Sequence, residues 1–265
     1  MSDAKLNITR RDFLKYAGLA GTGVIIAKLA ANGWISPLDA MNASASDPAS
    51  EAQSKHRWAM VIDQGKCIGC NYCTYACKAA NDIPGDVQWN TLSVEGQTSK
   101  GPTYLARPCM HCENAPCVEV CPVKATFHRA DGLVVMDYNK CIGCRYCEVA
   151  CPYGARVFNW QDPTKLPNPY VPKWGVPEVP RRPRGVVEKC TFCAQRIDRG
   201  LANGQMPGVD YDATPACVNA CPVGARLFGD LNDPASPVSR ALASRRTFRL
   251  REDLGTAPRV YYLPA

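Results

Sequence analysis

Two short stretches rich in apolar and β-branched residues predict strands that lead into cysteine-rich loops. The segment "RWAMVID", residues 57–63, precedes Cys67, and "GLVVMDY", residues 132–138, precedes Cys141. Their alternation and their β-branched content are typical of strands. An Asp-Gly turn at residues 131–132 follows "ATFHR", so the second strand is expected to form a hairpin with that segment.

Two longer stretches interrupt this pattern, and a tail closes the chain. Residues 78–108 and 161–184 separate cysteine-rich segments, and the second stretch is rich in proline. A proline-rich stretch can serve as a linker. Because this one lies between two cysteine-rich segments of the same domain, we interpret it as an inserted docking segment for a partner. Residues 231–265 form the tail, with no apolar span and with a short helix expected near Ser236.

The first 45 residues predict a targeting signal. Arg10 and Arg11 precede an apolar stretch, residues 16–27, that is too short and too glycine-rich for a comfortable membrane span. Adjacent arginines before such a stretch are typical of twin-arginine export, and "MNASAS" offers a cleavage point after Ala45. An amphipathic helix or an uncleaved membrane tether are the alternatives. We predict a twin-arginine signal peptide over residues 1–45 and a periplasmic domain over residues 46–265.

Sixteen cysteines dominate the composition, and all of them fall into four closely spaced groups. The groups are Cys67, Cys70, Cys73 and Cys77; Cys109, Cys112, Cys117 and Cys121; Cys141, Cys144, Cys147 and Cys151; and Cys190, Cys193, Cys217 and Cys221. Short helical turns are expected to carry the last cysteine of each group. The 22 prolines and 20 glycines indicate that the rest of the body is rich in loops.

The chain also repeats itself around these groups. "KCIGCNYCTYAC" (66–77) and "KCIGCRYCEVAC" (140–151) agree at nine of twelve positions. A second motif recurs as "CPVKATF" (121–127), "CPYGARVF" (151–158) and "CPVGARLF" (221–228). Such repetition indicates duplicated units that pack against each other. The predicted fold class is therefore α+β, a small hairpin-and-helix unit used twice, with insertions.

The spacing within the groups indicates iron–sulfur chemistry. Cysteines at successive intervals of three can each reach a different iron of one cube, and in two-cluster ferredoxins a fourth cysteine before proline binds the other cluster. That proline is present after Cys121, Cys151 and Cys221, but Lys78 follows Cys77. Zinc sites more often present two separated pairs of cysteines. A disulfide scaffold is the usual alternative for an exported chain, but twin-arginine export carries folded proteins with their metal centres.

The cluster interpretation changes how the charge is understood. The formal net charge of +7 would suggest an anionic partner. If the cysteines are thiolates around four iron–sulfur cubes, each assembly carries roughly two negative charges and the excess disappears or reverses. No run of Lys and Arg interleaved with aromatic residues is present. We therefore predict no nucleic-acid partner.

The four-group arrangement resembles the four-cluster, ferredoxin-like iron–sulfur subunits that accompany molybdopterin oxidoreductases, such as polysulfide reductase. The exported ferredoxin-like subunit of the Dsr transmembrane complex is similar too. The resemblance covers nearly all of the chain from Trp58 to "LREDLGTAPRVYYL". It implies that the first group pairs with the fourth and the second with the third. It also implies four [4Fe-4S] clusters, because all sixteen positions are cysteine.

The resemblance assigns each cluster a ligand set. Cluster 1 would be held by Cys67, Cys70, Cys73 and Cys221; cluster 2 by Cys190, Cys193, Cys217 and Cys77; cluster 3 by Cys109, Cys112, Cys117 and Cys151; and cluster 4 by Cys141, Cys144, Cys147 and Cys121. The absence of proline after Cys77 leaves the local backbone geometry there open.

The resemblance also implies an electron-transfer subunit with no catalytic site of its own. It would pass single electrons between an integral membrane, quinone-interacting subunit of the polysulfide-reductase type and either a molybdopterin catalytic subunit or a cytochrome c-type subunit. Respiratory sulfur or oxyanion metabolism is the expected setting. A freestanding periplasmic ferredoxin-like carrier is the alternative function, and a disulfide-linked secreted module is a structural one.

Five side chains near the cysteines have roles that the sequence leaves open. His111 could form a hydrogen bond near a cluster or lie at the surface. Tyr72 and Tyr146, which hold matching positions in the repeats, are expected to pack over the clusters. Lys66 and Lys140 could raise the potentials of clusters by their charge or be ordinary solvated lysines.

Overall fold

The computed structural model describes residues 55–99 and 101–265, which belong to one unit, Ala52–Ala265. The predicted signal peptide, residues 1–45, lies outside the described residues. The strands of the described part are β1 (Trp58–Asp63), β2 (Thr91–Thr98), β3 (Gly101–Arg107), β4 (Thr126–His128), β5 (Val134–Met136), β6 (Arg156–Phe158), β7 (Val187–Lys189), β8 (Arg226–Asp230) and β9 (Val260–Leu263).

The helices of the described part are short. They are α1 (Tyr72–Ala80), α2 (Pro116–Glu119), α3 (Tyr146–Val149), α4 (Ala194–Ala202), α5 (Ala216–Asn219) and α6 (Pro237–Ser244). Among the described residues, no helix is long and apolar enough to cross a membrane. The mixture of short helices, short strands and long loops agrees with the predicted loop-rich α+β class.

The first predicted strand lies at the centre of a three-stranded sheet with the order β8-β1-β9. β1 pairs antiparallel with β8 and parallel with β9, so residues near the end of the chain flank one of its first strands. All six residues of β1 are buried. Trp58 stacks on Phe228 with ring centroids 5.8 Å apart, and its Nε1 donates to Asp131 Oδ2 at 3.1 Å. The sheet therefore links the two ends of the described chain.

The remaining strands form three two-stranded ribbons. β4 and β5 pair antiparallel with Thr126 opposite Met136, which confirms the predicted hairpin around the Asp-Gly turn. β6 pairs with β7, and β2 pairs with β3 inside the stretch 78–108. That stretch is thus a hairpin added to the repeats.

The helices differ from the prediction that each carries the last cysteine of its group. α2, α3 and α5 contain Cys117, Cys147 and Cys217, which are the third cysteines of their groups. The fourth cysteine follows each helix and precedes a proline. Each helix ends before this point because proline lacks the N–H that a continuing helix needs. The exception is Cys77, which precedes Lys78 and lies within the longer helix α1. The missing proline therefore lets α1 continue to Ala80.

The proline-rich stretch 161–184 packs against α1 instead of hanging free. Tyr75 stacks on Tyr170 with centroids 5.0 Å apart and contacts Trp174 at 5.2 Å. Arg181 forms a two-point ion pair with Asp82, at 2.6 and 3.1 Å. Burial alone would raise the pKa of Asp82, but hydrogen bonds from Arg181 outweigh it and lower the pKa. The linker alternative does not describe this segment.

The tail contains the helix expected near Ser236. Ser236 caps α6, because its Oγ accepts a hydrogen bond from the N–H of Ser239 at 3.2 Å. Pro237 occupies the first turn of this helix, where its missing N–H costs nothing. This prediction is confirmed.

The repeated "CIGC" loops need glycine at their third position. Gly69 and Gly143 have φ values of 73° and 70°, which only glycine adopts without strain. A Cβ on Gly143 would lie 2.2 Å from the backbone oxygen of Gly185. Gly154, at φ 59°, has no heavy atom within 4 Å of the equivalent point.

This difference predicts that Gly143→Ala destabilises the protein more than Gly154→Ala. The control should lose about 1–2 kcal/mol from the left-handed backbone alone, and Gly143→Ala should lose a further ~2 kcal/mol because a backbone atom must move. We expect a melting temperature about 4–8 °C lower for Gly143→Ala than for the control, measured by circular dichroism. Equal melting temperatures would contradict the clash.

Candidate metal centres

All sixteen cysteines lie within the described residues, and none forms a disulfide bond. The described structure therefore does not support the alternative of a disulfide-linked module. Within the described chain, no three His, Cys, Asp or Glu side chains gather closely enough for one metal ion. Sulfurs around a single zinc would lie about 3.8 Å apart at a Zn–S distance of about 2.3 Å. Two of the predicted sets of four cysteines instead line larger cavities.

The first space combines cysteines from the two ends of the described chain. One cavity is lined by Cys67, Cys70, Cys73 and Cys221, together with Arg226 and apolar side chains that include Ile62 and Leu92. The pairing of β1 with β8 brings Cys221 to this place, since the two strands lie beside the respective cysteine loops. Three thiols of one loop and a fourth that is distant in sequence therefore face one cavity.

A second cavity repeats this arrangement in the middle of the chain. It is lined by Cys109, Cys112, Cys117 and Cys151, together with Arg156, Met110 and Val134. Burial and, to a lesser extent, the neighbouring Cys109 raise the pKa of the Cys112 thiol to about 12. Free thiols packed this way stay protonated, so a bound cation is needed to make them thiolates.

The other two predicted sets, the second and the fourth, are indicated by sulfurs that lie close to one another. Burial and then the nearby Cys190, Cys193 and Cys217 raise the pKa of Cys77 well above its usual value. Asn81 Nδ2 lies 3.8 Å from Cys77 Sγ and 3.6 Å from Cys193 Sγ, so one amide contacts both sulfurs. Burial raises the pKa of Cys147, with Cys117 and Cys141 among its charged neighbours. Cys144 is exposed.

The four sets follow one another through neighbouring sulfurs. Burial raises the pKa of Cys217 to about 12, and Cys73 of the first set contributes to this shift. Burial and then Cys109 of the third set raise the pKa of Cys190 to about 12. The third and fourth sets meet where Cys117 lies near Cys147. These pairs link the first set to the second, the second to the third and the third to the fourth.

Backbone N–H groups point at several of the sulfurs. The N–H of Ala225 donates to Cys221 Sγ at 3.2 Å, and the N–H of Phe192 donates to Cys190 Sγ at 3.4 Å. Burial alone would raise the pKa of Cys121, but the backbone N–H groups of Thr126, Val123 and Ala125 outweigh it and lower the pKa. Such N–H donors stabilise charged sulfur. The donor set of four thiols per space therefore fits [4Fe-4S] clusters.

His111 lies in the interior between the second and third sets, not at the surface. It is fully buried. Its Nδ1 accepts from the N–H of Val134 at 3.1 Å, so its Nε2 carries the proton and donates to the Cys190 oxygen at 3.1 Å. Burial and then the positive Lys189 hold the pKa of His111 well below its usual value. A neutral histidine thus joins two cysteine sets.

Other expectations for side chains near the cysteines were less accurate. Tyr72 is 40% exposed and Tyr146 is 62% exposed, so neither packs inward over a cavity as predicted. Lys66 is exposed, as its repeat counterpart Lys140 is. Sequence analysis missed the buried Arg156 and Arg226, although the repeated "GAR" of two motifs marked them.

The contacts of His111 predict a specific loss of stability. His111→Phe keeps a ring but leaves the Val134 N–H buried without a partner, at a cost of about 1–3 kcal/mol. It also removes one of the two donors to the Cys190 oxygen, which keeps Lys189 Nζ at 2.6 Å. The control is His128→Phe, since His128 is exposed in β4. We expect thermal unfolding at a clearly lower temperature for His111→Phe alone. Equal unfolding temperatures for the two variants would contradict a bridging role.

Comparison with known proteins adds two matching sequence domains. Each is a 4Fe-4S dicluster domain, one over residues 102–165 and one over residues 66–125 and 140–225. A protein of Halobacterium salinarum, named as an iron–sulfur subunit of dimethyl sulfoxide reductase, is 45% identical over 222 residues, 78% of this chain and 78% of that protein.

Two further relatives are similar over about the same share of the chain. The iron–sulfur cluster-binding subunit of menaquinone reductase from Nitratidesulfovibrio vulgaris is 44% identical over 229 residues, 79% of this chain and 89% of that protein. A polypeptide of polysulfide reductase from Wolinella succinogenes is 38% identical over 215 residues, 78% of this chain and 94% of that protein. With its cysteine sets, its matched domains and these relatives, the chain belongs to the 4Fe-4S dicluster family of electron-transfer iron–sulfur subunits.

Proposed function

We propose that this subunit holds four [4Fe-4S] clusters in a line and relays single electrons along them. The ligand sets are those that the family resemblance assigned. The observation that carries this proposal is the succession of sulfur neighbours, from Cys73 and Cys217 through Cys190 and Cys109 to Cys117 and Cys147. A relay needs each centre close to the next, and this order supports one continuous path.

The clusters, when bound, supply sites that accept and release one electron each. The chain supplies everything else. Apolar side chains such as Met110 and Leu92 line the cavities and exclude water. Asn81 and Asn90 direct amide N–H groups at Cys193 and Cys73, at 3.6 and 3.5 Å, where such donors favour additional negative charge. The first and fourth sets lie at the two ends of the line, where electrons would enter and leave.

We propose that one end serves a quinone-linked membrane subunit and the other a catalytic or haem-containing subunit. The relatives support this assignment, since one belongs to a menaquinone reductase and two to reductases of small sulfur compounds. The partners would be an integral membrane protein of the polysulfide-reductase type and either a molybdopterin protein or a cytochrome c-type protein. Respiratory sulfur or oxyanion metabolism is the proposed setting.

The location of the relay would be the periplasm. Arg10 and Arg11, with the apolar stretch that follows, support export by the twin-arginine route, either with cleavage after Ala45 or with the signal kept as an anchor. Export of the folded chain would deliver its clusters already assembled. A freestanding periplasmic carrier remains the second candidate, and stable association with partners distinguishes the two.

We further propose that the stretch 161–184 is a docking surface. Its inner side is held by Tyr170 and Trp174 against α1 and by Glu178 against Arg196, whose Nε lies 2.9 Å from the Glu178 carboxylate. Its outer side presents Val176, which is 64% exposed. A loop fixed from below with an apolar residue outside has the form of a contact surface.

The crossed ligand sets can be tested with single Cys→Ser variants. Cys121→Ser and Cys144→Ser should perturb the same cluster, because both belong to the proposed fourth set. Cys109→Ser should perturb a different one. The measurement is low-temperature electron paramagnetic resonance of the reduced protein, with iron content normalised to about 16 atoms per wild-type chain. If Cys121→Ser instead matched Cys109→Ser, each group would hold its own cluster and the crossing would be wrong.

The partners can be tested by extracting the tagged protein gently from membranes and assaying the complex for molybdenum, tungsten, haem and iron. Molybdenum or tungsten with iron supports a molybdopterin partner, and haem without either metal supports a cytochrome partner. Recovery of the chain alone would favour the freestanding carrier.

The same extraction tests the docking surface. Val176→Asp should reduce recovery of the partners at least severalfold. Val209→Asp is the matched control, because Val209 is 68% exposed but lies outside the stretch 161–184. Equal recovery with the two variants would remove the stretch from the interface.

A further inference from the structure

Two arginines hold equivalent positions in the repeated motif that begins with Cys-Pro. Arg156 is the sixth residue of "CPYGARVF" and Arg226 the sixth of "CPVGARLF". The third copy, "CPVKATF", has Thr126 at this place. Arg226 lies near the first and second cysteine sets, and Arg156 lies near the third and fourth.

Both arginines are buried without an acidic partner. Each is 4% exposed, and among the described residues neither takes part in an ion pair with a carboxylate. Arg182 is also 4% exposed, but it pairs with Glu188 at 3.0 Å, as a buried cation normally requires. Arg156 and Arg226 therefore need negative charge from another source.

Arg226 lies between the first and second sets. It lines the cavity of Cys67, Cys70, Cys73 and Cys221. Its Nη2 donates to Asn90 Oδ1 at 2.8 Å, and the amide of Asn90 donates in turn to Cys73 Sγ at 3.5 Å. Its positive charge also lowers the pKa of Cys217 in the second set, against the larger effect of burial. One guanidinium thus lies close to ligands of two neighbouring sets.

Arg156 repeats this position between the third and fourth sets. It lines the cavity of Cys109, Cys112, Cys117 and Cys151, and its positive charge acts on Cys147 of the fourth set, where it lowers the pKa against the larger effect of burial. Its Nη1 donates to Thr126 Oγ1 at 3.1 Å, so the residue at the equivalent place in the third motif copy holds the guanidinium in position. Its Nη2 is buried with no hydrogen-bond partner among the described protein atoms.

The effect of such a cation follows from charge alone. A cluster with four thiolates is already negative, and reduction adds one more electron. A buried positive charge stabilises the reduced form more than the oxidised form, because little solvent screens the interaction. Placed between two clusters, one arginine acts on both and offsets part of the repulsion between two reduced neighbours.

We propose that Arg226 raises the reduction potentials of clusters 1 and 2, and that Arg156 raises those of clusters 3 and 4. Both are positioning residues, since they act through their charge close to the cysteine ligands. This inference rests on the ligand sets proposed above. It adds that the potentials are set in two independent pairs, one arginine for each.

The test is a potentiometric titration of the full chain followed by electron paramagnetic resonance, with signals assigned through the Cys→Ser variants. The variants are Arg226→Gln, which removes the charge, and Arg226→Lys, which keeps it. Arg156→Gln and Arg156→Lys form the second series. Arg240→Gln is the control, because it removes a positive charge from the exposed side of α6.

The expected result is specific to one pair of clusters. Arg226→Gln should make reduction of clusters 1 and 2 at least tenfold less favourable, which is about 59 mV for one electron. Clusters 3 and 4 should shift by less than a third of that amount. Arg226→Lys should restore most of the loss, and the Arg156 series should show the opposite selectivity.

Three results would overturn the inference while leaving the relay intact. They are a shift no larger than that of Arg240→Gln, equal shifts in all four clusters, or equal shifts for the Lys and Gln variants. If Arg226→Gln lost iron, the Arg156 series would decide alone. If both Gln variants lost iron, the Lys variants would decide. Unchanged cluster potentials in the Lys variants support the inference. Lowered cluster potentials in the Lys variants assign the arginines a purely structural role. If the wild-type chain itself lacked four clusters, the proposed function would have failed first.

Discussion

Burial of the cysteine sulfurs is the constraint on which the rest of this structure depends. Thiols such as Cys77, Cys190 and Cys217 are buried deeply enough that their pKa values rise, so the protein interior around them favours neutral groups. Iron–sulfur clusters reverse that preference because they make the sulfurs into ligands. The core is therefore organised around its cofactor sites, and the short strands and helices serve mainly to bring distant cysteines together.

Several kinds of polar and charged group surround the buried sulfurs. Backbone N–H groups from Ala225 and Phe192 point at ligand sulfurs, and the amides of Asn81 and Asn90 do the same from side chains. The neutral His111 ties the Cys190 carbonyl to β5 without adding a charge. Positive charge enters only through a few residues, and buried arginines without carboxylate partners suit a site whose negative charge comes from clusters.

The additions to the repeated units are as firmly built as the repeats themselves. The stretch 161–184 is held by Tyr170, Trp174 and Arg181 against α1 and the residues that follow it. The longer α1, which Lys78 allows where the other groups have proline, provides the surface for this packing. One departure from the repeat is thereby coupled to another.

The sequence by itself determined the chemistry and much of the local structure, because cysteine spacing, the Asp-Gly turn and the Ser236 cap act over a few residues. It predicted β1, the β4–β5 hairpin and α6, and it limited the metal to one that four spaced thiolates can hold. Only the tertiary structure decided that the third cysteine, not the fourth, lies in most of the helices, that His111 is interior, and that Tyr72 and Tyr146 face outward. It alone placed Cys221 beside Cys67 and set Arg226 and Arg156 between cysteine sets. The placement of Cys221 and Arg226 depends on the pairing of β1 with β8, residues more than a hundred positions apart, which local patterns do not encode.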